Sequence, residues 1–275
     1  MRGSLPRSED LRSGPLTRDR TIREEEADTV DRTVDWTGQP FSCQDCPHLP
    51  MREAGRCVLG RICVRDQRAK RIDRFFASNS QLVGQYVDHP YFEIRTIAAK
   101  HANVFLLPRM MRDKDPEVRA MVAMRLPTPR VREMMDDPDR KVRIACAMRL
   151  QGADLLKMFS DSDYYVRLMA ARRLDPPLLP VAASDPEPEV RRTVARRLPP
   201  DRLAAFAFDV DPLVRKQAAE RIPPSTLHLF VADRDLRVRY IAAERGDLAV
   251  ARRLLNDSDP AVADMARRRI AELEG

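Results

Sequence analysis

Glycine is scarce in this 275-residue chain, with nine in all, and aromatic residues make up only 5% of it. A compact enzyme with one deep core usually carries more aromatic side chains, so the shortage argues against that class. No apolar run approaches the roughly 18 residues of a membrane span, and no contact with a membrane is expected. No glycine-rich loop that would cradle a phosphate is present. The four histidines, His48, His89, His101 and His228, are scattered, and no nucleophile or carboxylate pair stands in catalytic spacing. The chain is therefore not expected to be an enzyme. The segment 1–35 is polar, mildly acidic and without the apolar centre of a secretory signal, which points to a cytoplasmic protein. Disorder is expected over that segment.

Proline is plentiful, at 22, and a third of the residues are charged, with a net charge of +7. The balance suits many short, proline-punctuated helices. It admits an acidic partner without requiring nucleic acid.

A repeat carries that pattern. Val118-Arg119 recurs as Val142-Arg143, Val166-Arg167, Val190-Arg191, Val214-Arg215 and Val238-Arg239, at a constant step of 24. Ile94-Arg95 and Val262-Ala263 extend the series to eight units without an insertion. Five residues before each Val from Val118 on stands an Asp, from Asp113 to Asp257. A small residue such as Ala or Val follows at +4, Arg at +7 and Leu or Ile at +8, with lapses at Ala102 and Gly246. Positions 0, +4 and +8 share one stripe of a helix. Aspartate supplies an N-cap, proline opens many of the helices, and Leu-Pro closes several. A shorter apolar pair follows, as in Leu155/Met158 and Leu203/Phe206, and room for one or two turns suggests a 3₁₀ segment. Neither helix buries its stripe alone, so the units must stack into an all-α solenoid from about residue 80 to 275.

On a helical wheel both Arg columns flank the apolar arc. They are expected to pair with the Asp columns as a ladder between repeats, because the guanidinium fork matches a carboxylate. A basic surface for nucleic acid is the alternative, but acidic residues match the Arg in nearly every unit, and no aromatic ladder offers stacking. Cys146 falls in the small-residue column and reads as core.

Upstream lies Cys43-x₂-Cys46-x₁₀-Cys57-x₅-Cys63. Four clustered cysteines in a reducing compartment point to a metal site, either tetrahedral Zn²⁺ or an iron–sulfur cluster. The x₅ gap is loose for a zinc knuckle, and the unevenness leans toward the larger cluster. His48 is a further candidate ligand, although four thiolates already suffice. Four ligands would leave no iron open to substrate. The basic segment from Val64 to Phe76 is read as a connecting helix, or as a surface for a redox partner.

The repeat wording, as in Asp185 to Asp209, resembles the leucine-rich repeat variant family. The cysteine segment resembles the cluster domain that accompanies those repeats in nitrogen-fixing bacteria. The resemblance implies alternating α- and 3₁₀-helices in a right-handed superhelix. It also implies a [4Fe–4S] cluster on Cys43, Cys46, Cys57 and Cys63, in a domain over 36–79. The expected function is a redox-active or redox-sensing module whose solenoid binds a protein partner, in the setting of nitrogen fixation. The alternative is a nucleic-acid-binding regulator with a structural iron–sulfur or zinc site.

Overall fold

The computed structural model describes residues 33–275. The tail expected over 1–35 falls almost wholly outside the described residues. Among these the architecture is helical, and β pairing is confined to two isolated bridges, Val34 with Pro40 and Val58 with Ile62. By packing, the chain divides into a first unit that ends at Leu106 and a second that runs from Leu107 to Gly275.

The first unit holds the cysteine segment, a one-turn helix α1 (Pro50–Glu53), α2 (Ala69–Ser78), a 3₁₀ segment (Ser80–Gln85) and α3 (Phe92–His101). Helix α2 buries Arg71, Ile72, Phe75 and Phe76, spaced for one helical face, and packs on α3. Ile94, Ala98 and Ala102 bury the stripe of the first repeat.

The second unit repeats one long helix per 24 residues. These are α4 (Pro116–Arg125), α5 (Arg140–Arg149), α6 (Tyr164–Arg173), α7 (Pro188–Arg197), α8 (Pro212–Ala219), α9 (Leu236–Arg245) and α10 (Pro260–Glu274). Each packs on the next. Val118, Val142, Val166, Val190, Val214, Val238 and Val262 are all fully buried. Burial of each such side chain stabilises by roughly 1.5–3 kcal/mol before ordering costs. The Asp three residues before the Val is the N-cap, and its carboxylate accepts the amide two residues on, as Asp115 does from Glu117 at 2.9 Å. Glu187 holds the same backbone conformation in its unit but makes no side-chain cap, because its carboxylate sits one methylene too far out. At the other end Leu126, Leu150, Leu174 and Leu198 turn extended, and the helix stops.

The intervening short segments are 3₁₀ where two prolines lead them, at Pro176–Ala182, Pro200–Arg202 and Pro224–Phe230. Where the double proline is missing, at Thr128–Val131, Gly152–Lys157 and Leu248–Arg253, the segment opens as α-helix, and in the first two a 3₁₀ turn follows, at Arg132–Met134 and Met158–Ser160. The expected 3₁₀ element therefore does not depend on the double proline, since Ser80–Gln85 forms one without it.

The ladder between repeats is real but divides in two. The first Arg column pairs with aspartate. Arg119, Arg143, Arg167, Arg191, Arg215 and Arg239 each reach the Asp of the next unit, with Nε to Oδ2 at 2.7–2.8 Å. The second prong runs from Nη2 to Oδ1, as in Arg191–Asp209 at 2.7 Å. The third nitrogen, Nη1, donates to the carbonyl of the same unit's Asp, as from Arg191 to Asp185 O at 2.8 Å. The second Arg column, expected to join the same ladder, does something else. Arg149 donates to Met124 O and Leu126 O, Arg197 to Ala171 O, Arg221 to Ala195 O and Leu198 O, and Arg245 to Ala219 O and Ile222 O. These carbonyls are the unpaired acceptors at the end of the preceding long helix, so this column caps its neighbour.

Candidate metal centre

All four cysteines upstream of the repeats are free thiols, with Cys57 and Cys63 buried and Cys43 and Cys46 half-buried. Local geometry draws them together. A chain of turns carries the first pair, with Cys46 N donating to Cys43 O at 3.2 Å and Leu49 N to Cys46 O at 3.0 Å. Helix α1 ends at Gly55, whose φ of 65° turns the chain toward Cys57. The five residues between Cys57 and Cys63 are a tight hairpin. Val58 and Ile62 exchange both backbone hydrogen bonds at 2.8 Å, and Gly60 sits at the tip with φ 74°. Cys57 and Cys63 flank that bridge and hydrogen-bond each other. The gap that reads as loose in the sequence is therefore closed by a left-handed glycine.

The thiols feel one another. Burial pushes Cys43 up, with Arg52 opposing, Cys63 and Cys46 adding, and Arg65 opposing. The hydrogen bond from its partner and then burial hold Cys63 well above the ordinary thiol range, while the same bond lowers Cys57. The backbone amides of Arg65 and Asp66 donate to Cys63 sulfur and favour its anionic form. Among the described residues no three His, Cys, Asp or Glu side chains are grouped to hold a single metal ion. Four free thiols in one segment are the donor chemistry of an iron–sulfur cluster, in which each thiolate binds a different iron. The donor set thus fits an iron–sulfur cluster.

A supporting shell went unread in the sequence. Asp66, 1% exposed, accepts from Arg71 at 2.7 Å and from the Arg68 amide at 2.9 Å, and Cys63 N donates to Arg71 O, so the last cysteine is tied to α2. Asn79, fully buried, donates from Nδ2 to Arg56 O at 2.8 Å and to Phe75 O at 2.9 Å, which anchors the residue before Cys57. His48 packs on Phe75 with ring centroids 5.1 Å apart and shares a hydrogen bond with the Tyr86 hydroxyl. Its ring is thus engaged by the aromatic core. Burial lowers His48 and pushes Tyr86 up to about 12, which favours the neutral form of each. Local patterns miss the part of this shell in which Asn79 reaches Arg56 and Tyr86 reaches His48, because those contacts join residues 23 and 38 positions apart. Cys146 lies in the repeat core, fully buried, with burial pushing its thiol up to about 12.

Comparison with known proteins agrees with both halves. Residues 33–85 match the family model described as LRV protein FeS4 cluster, and residues 116–139 and 188–211 match the leucine-rich repeat variant model. The cofactor of that domain is a [4Fe–4S] cluster rather than zinc. A Rhodobacter capsulatus protein described as an uncharacterized 27.7 kDa protein in the nifB 3′ region is 49% identical over 94 residues, or 34% of this chain. The match spans 38% of that relative's length. A solved structure described as a leucine-rich repeat variant with a novel repetitive structural motif superposes with a TM-score of 0.78 at 36% identity. The superposition covers 83% of this chain and 98% of that one. With an FeS4 cluster domain ahead of an all-helical repeat solenoid, this chain belongs to the leucine-rich repeat variant family.

Proposed function

We propose that Cys43, Cys46, Cys57 and Cys63 each hold one iron of the [4Fe–4S] cluster, and that the cluster carries or senses electrons instead of acting on a substrate. The observation that carries this reading is a segment of four free thiols that act on one another, Cys57 and Cys63 buried and Cys43 and Cys46 half-buried. Four protein ligands leave no iron for substrate, and such a cluster supplies one-electron chemistry when bound. The solenoid then serves to bind a protein partner. Its first Arg column is consumed in ion pairs whose Arg side chains are only 9–16% exposed, which supports a protein partner over nucleic acid. The relative beside nifB supports a setting in nitrogen fixation. No helix among the described residues is long and apolar enough to cross a membrane.

Iron, acid-labile sulfide and zinc are measured on anaerobically purified protein, followed by a redox titration. About four irons and four sulfides per chain with a reversible one-electron wave is the expected result. One zinc without sulfide, or a cluster that accepts no electron at accessible potential, overturns the reading.

A further inference from the structure

The four thiols are not screened equally. Cys57 and Cys63 are buried, whereas Cys43 and Cys46 are half-buried and border the exposed residues Pro47, Leu49 and Pro50, with Leu49 at 42%. Four arginines, Arg52, Arg56, Arg61 and Arg65, punctuate the cysteine segment against two acidic residues, Asp45 and Glu53. Arg52, Arg56 and Arg61 are exposed. Arg65 lies over the Phe41 ring at 4.8 Å, with Nη1 3.5 Å from Ser42 O, and is thereby fixed beside Cys43. The charges of Arg52 and Arg65 both act on the Cys43 thiol.

The next segment adds to the asymmetry. Arg68, Lys70 and Arg74 are exposed, while its two acids are already engaged, Asp66 by Arg71 and Asp73 by Lys100 and His101. A small apolar patch beside a redox centre, with the charges of Arg52 and Arg65 close by, is the anatomy of a weak, electrostatically steered docking face.

Resting on the redox reading above, we infer that the Cys43–Cys46 side, with Leu49, Arg52, Arg56 and Arg65, is the docking face for an acidic one-electron carrier protein. One electron leaves the reduced carrier and enters the cluster, so the carrier is oxidised by one and the cluster reduced by one. No bond, proton or atom moves. The half-exposed cysteines set the entry point, and the arginines raise the encounter rate and orient the carrier.

The test uses intact cluster-loaded protein and flavodoxin, an acidic one-electron carrier. Affinity for oxidised flavodoxin is measured by calorimetry in low and high salt. Cluster reduction by reduced flavodoxin is followed by stopped-flow absorbance, with the methyl viologen radical cation as a reductant of opposite charge. Binding and the flavodoxin rate should both fall about tenfold or more in high salt, while the viologen rate does not fall. Arg52→Glu and Arg56→Glu, each checked for full iron content, should weaken flavodoxin binding by about three- to tenfold. Arg202→Glu, in the second unit, should leave it unchanged. If the two variants that keep their iron bind flavodoxin as well as wild type, the docking face is wrong. If viologen reduces the cluster but flavodoxin neither binds nor reduces it, this inference fails and the redox reading survives. If neither reduces it, both fall. Binding of duplex DNA that Arg52→Glu abolishes, with no binding of flavodoxin, would assign the face to nucleic acid instead.

Discussion

Arg167 of one repeat grips Asp185 of the next through two parallel hydrogen bonds, Nε to Oδ2 at 2.8 Å and Nη2 to Oδ1 at 3.0 Å. The side chains are 10% and 5% exposed. Removal of the arginine strands a buried carboxylate, a loss of about 2–4 kcal/mol. Arg167→Ala should lower the urea midpoint sharply. Arg167→Lys keeps the charge but not the fork, and should recover less than half of the loss. A lysine variant as stable as wild type would show that charge alone matters.

Three other pairs of this column set an acid limit. The Arg239 hydrogen bond, against burial, holds Asp257 below its ordinary 3.8. For Asp137 and Asp209 burial pulls upward most strongly, yet the bonds and charges of Arg119 and Arg191 prevail and both carboxyls are lowered. A carboxyl with a depressed folded value takes up protons more readily when unfolded. Its contribution is complete above 3.8 and is lost as pH falls through the folded value. Stability followed by circular dichroism should therefore hold steady down to about pH 5 and decline below about pH 4. Arg239→Gln should flatten part of that decline.

Gly246 breaks the leucine column, so restoring the repeat pattern there looks like an improvement. The space says otherwise. A Cβ on Gly246 would stand 2.4 Å from Val250 Cγ1 and 2.6 Å from the Ala242 carbonyl. Gly246→Ala should destabilise by about 1–3 kcal/mol and Gly246→Leu by more, both read from urea unfolding.

Glu187 offers the opposite case. Its backbone, φ −88° and ψ 121°, already matches the aspartate caps of the other repeats. Glu187→Asp should gain the missing cap and raise stability by about 0.5–1 kcal/mol. No change in melting temperature would mean that the α7 N-terminus is satisfied by other means.

Two cysteine substitutions separate cluster from core. Cys57→Ser should lose iron, sulfide and visible absorbance together, whereas Cys146→Ala should keep all three at a modest cost in stability. The reverse pattern would reject the proposed ligand set.

The period, the buried column and the cysteine segment were legible because each is written in side-chain identity at fixed spacing. The carbonyl-capping role of Arg149, Arg197, Arg221 and Arg245 was not, because its acceptors are backbone atoms that no residue type encodes. On a wheel, both Arg columns look alike. The hairpin that joins Cys57 to Cys63 depends on one glycine at positive φ, and a five-residue gap alone does not announce it. Asn79 and Tyr86 support the cysteine segment from 23 and 38 residues away, across separations that local patterns cannot span.

The aspartate–arginine link also bears on how such an array lengthens. Every 24-residue unit from Asp137 to Asn256 brings a carboxylate for the arginine before it and an arginine for the carboxylate after it. A copy inserted between any two of them meets complementary ends on both sides, so duplication needs no compensating change. A copy one residue longer or shorter would break the link and rotate the buried stripe away together. Length can thus drift freely in whole units while the period stays fixed, and the constant step of 24 is the trace that this leaves in the sequence.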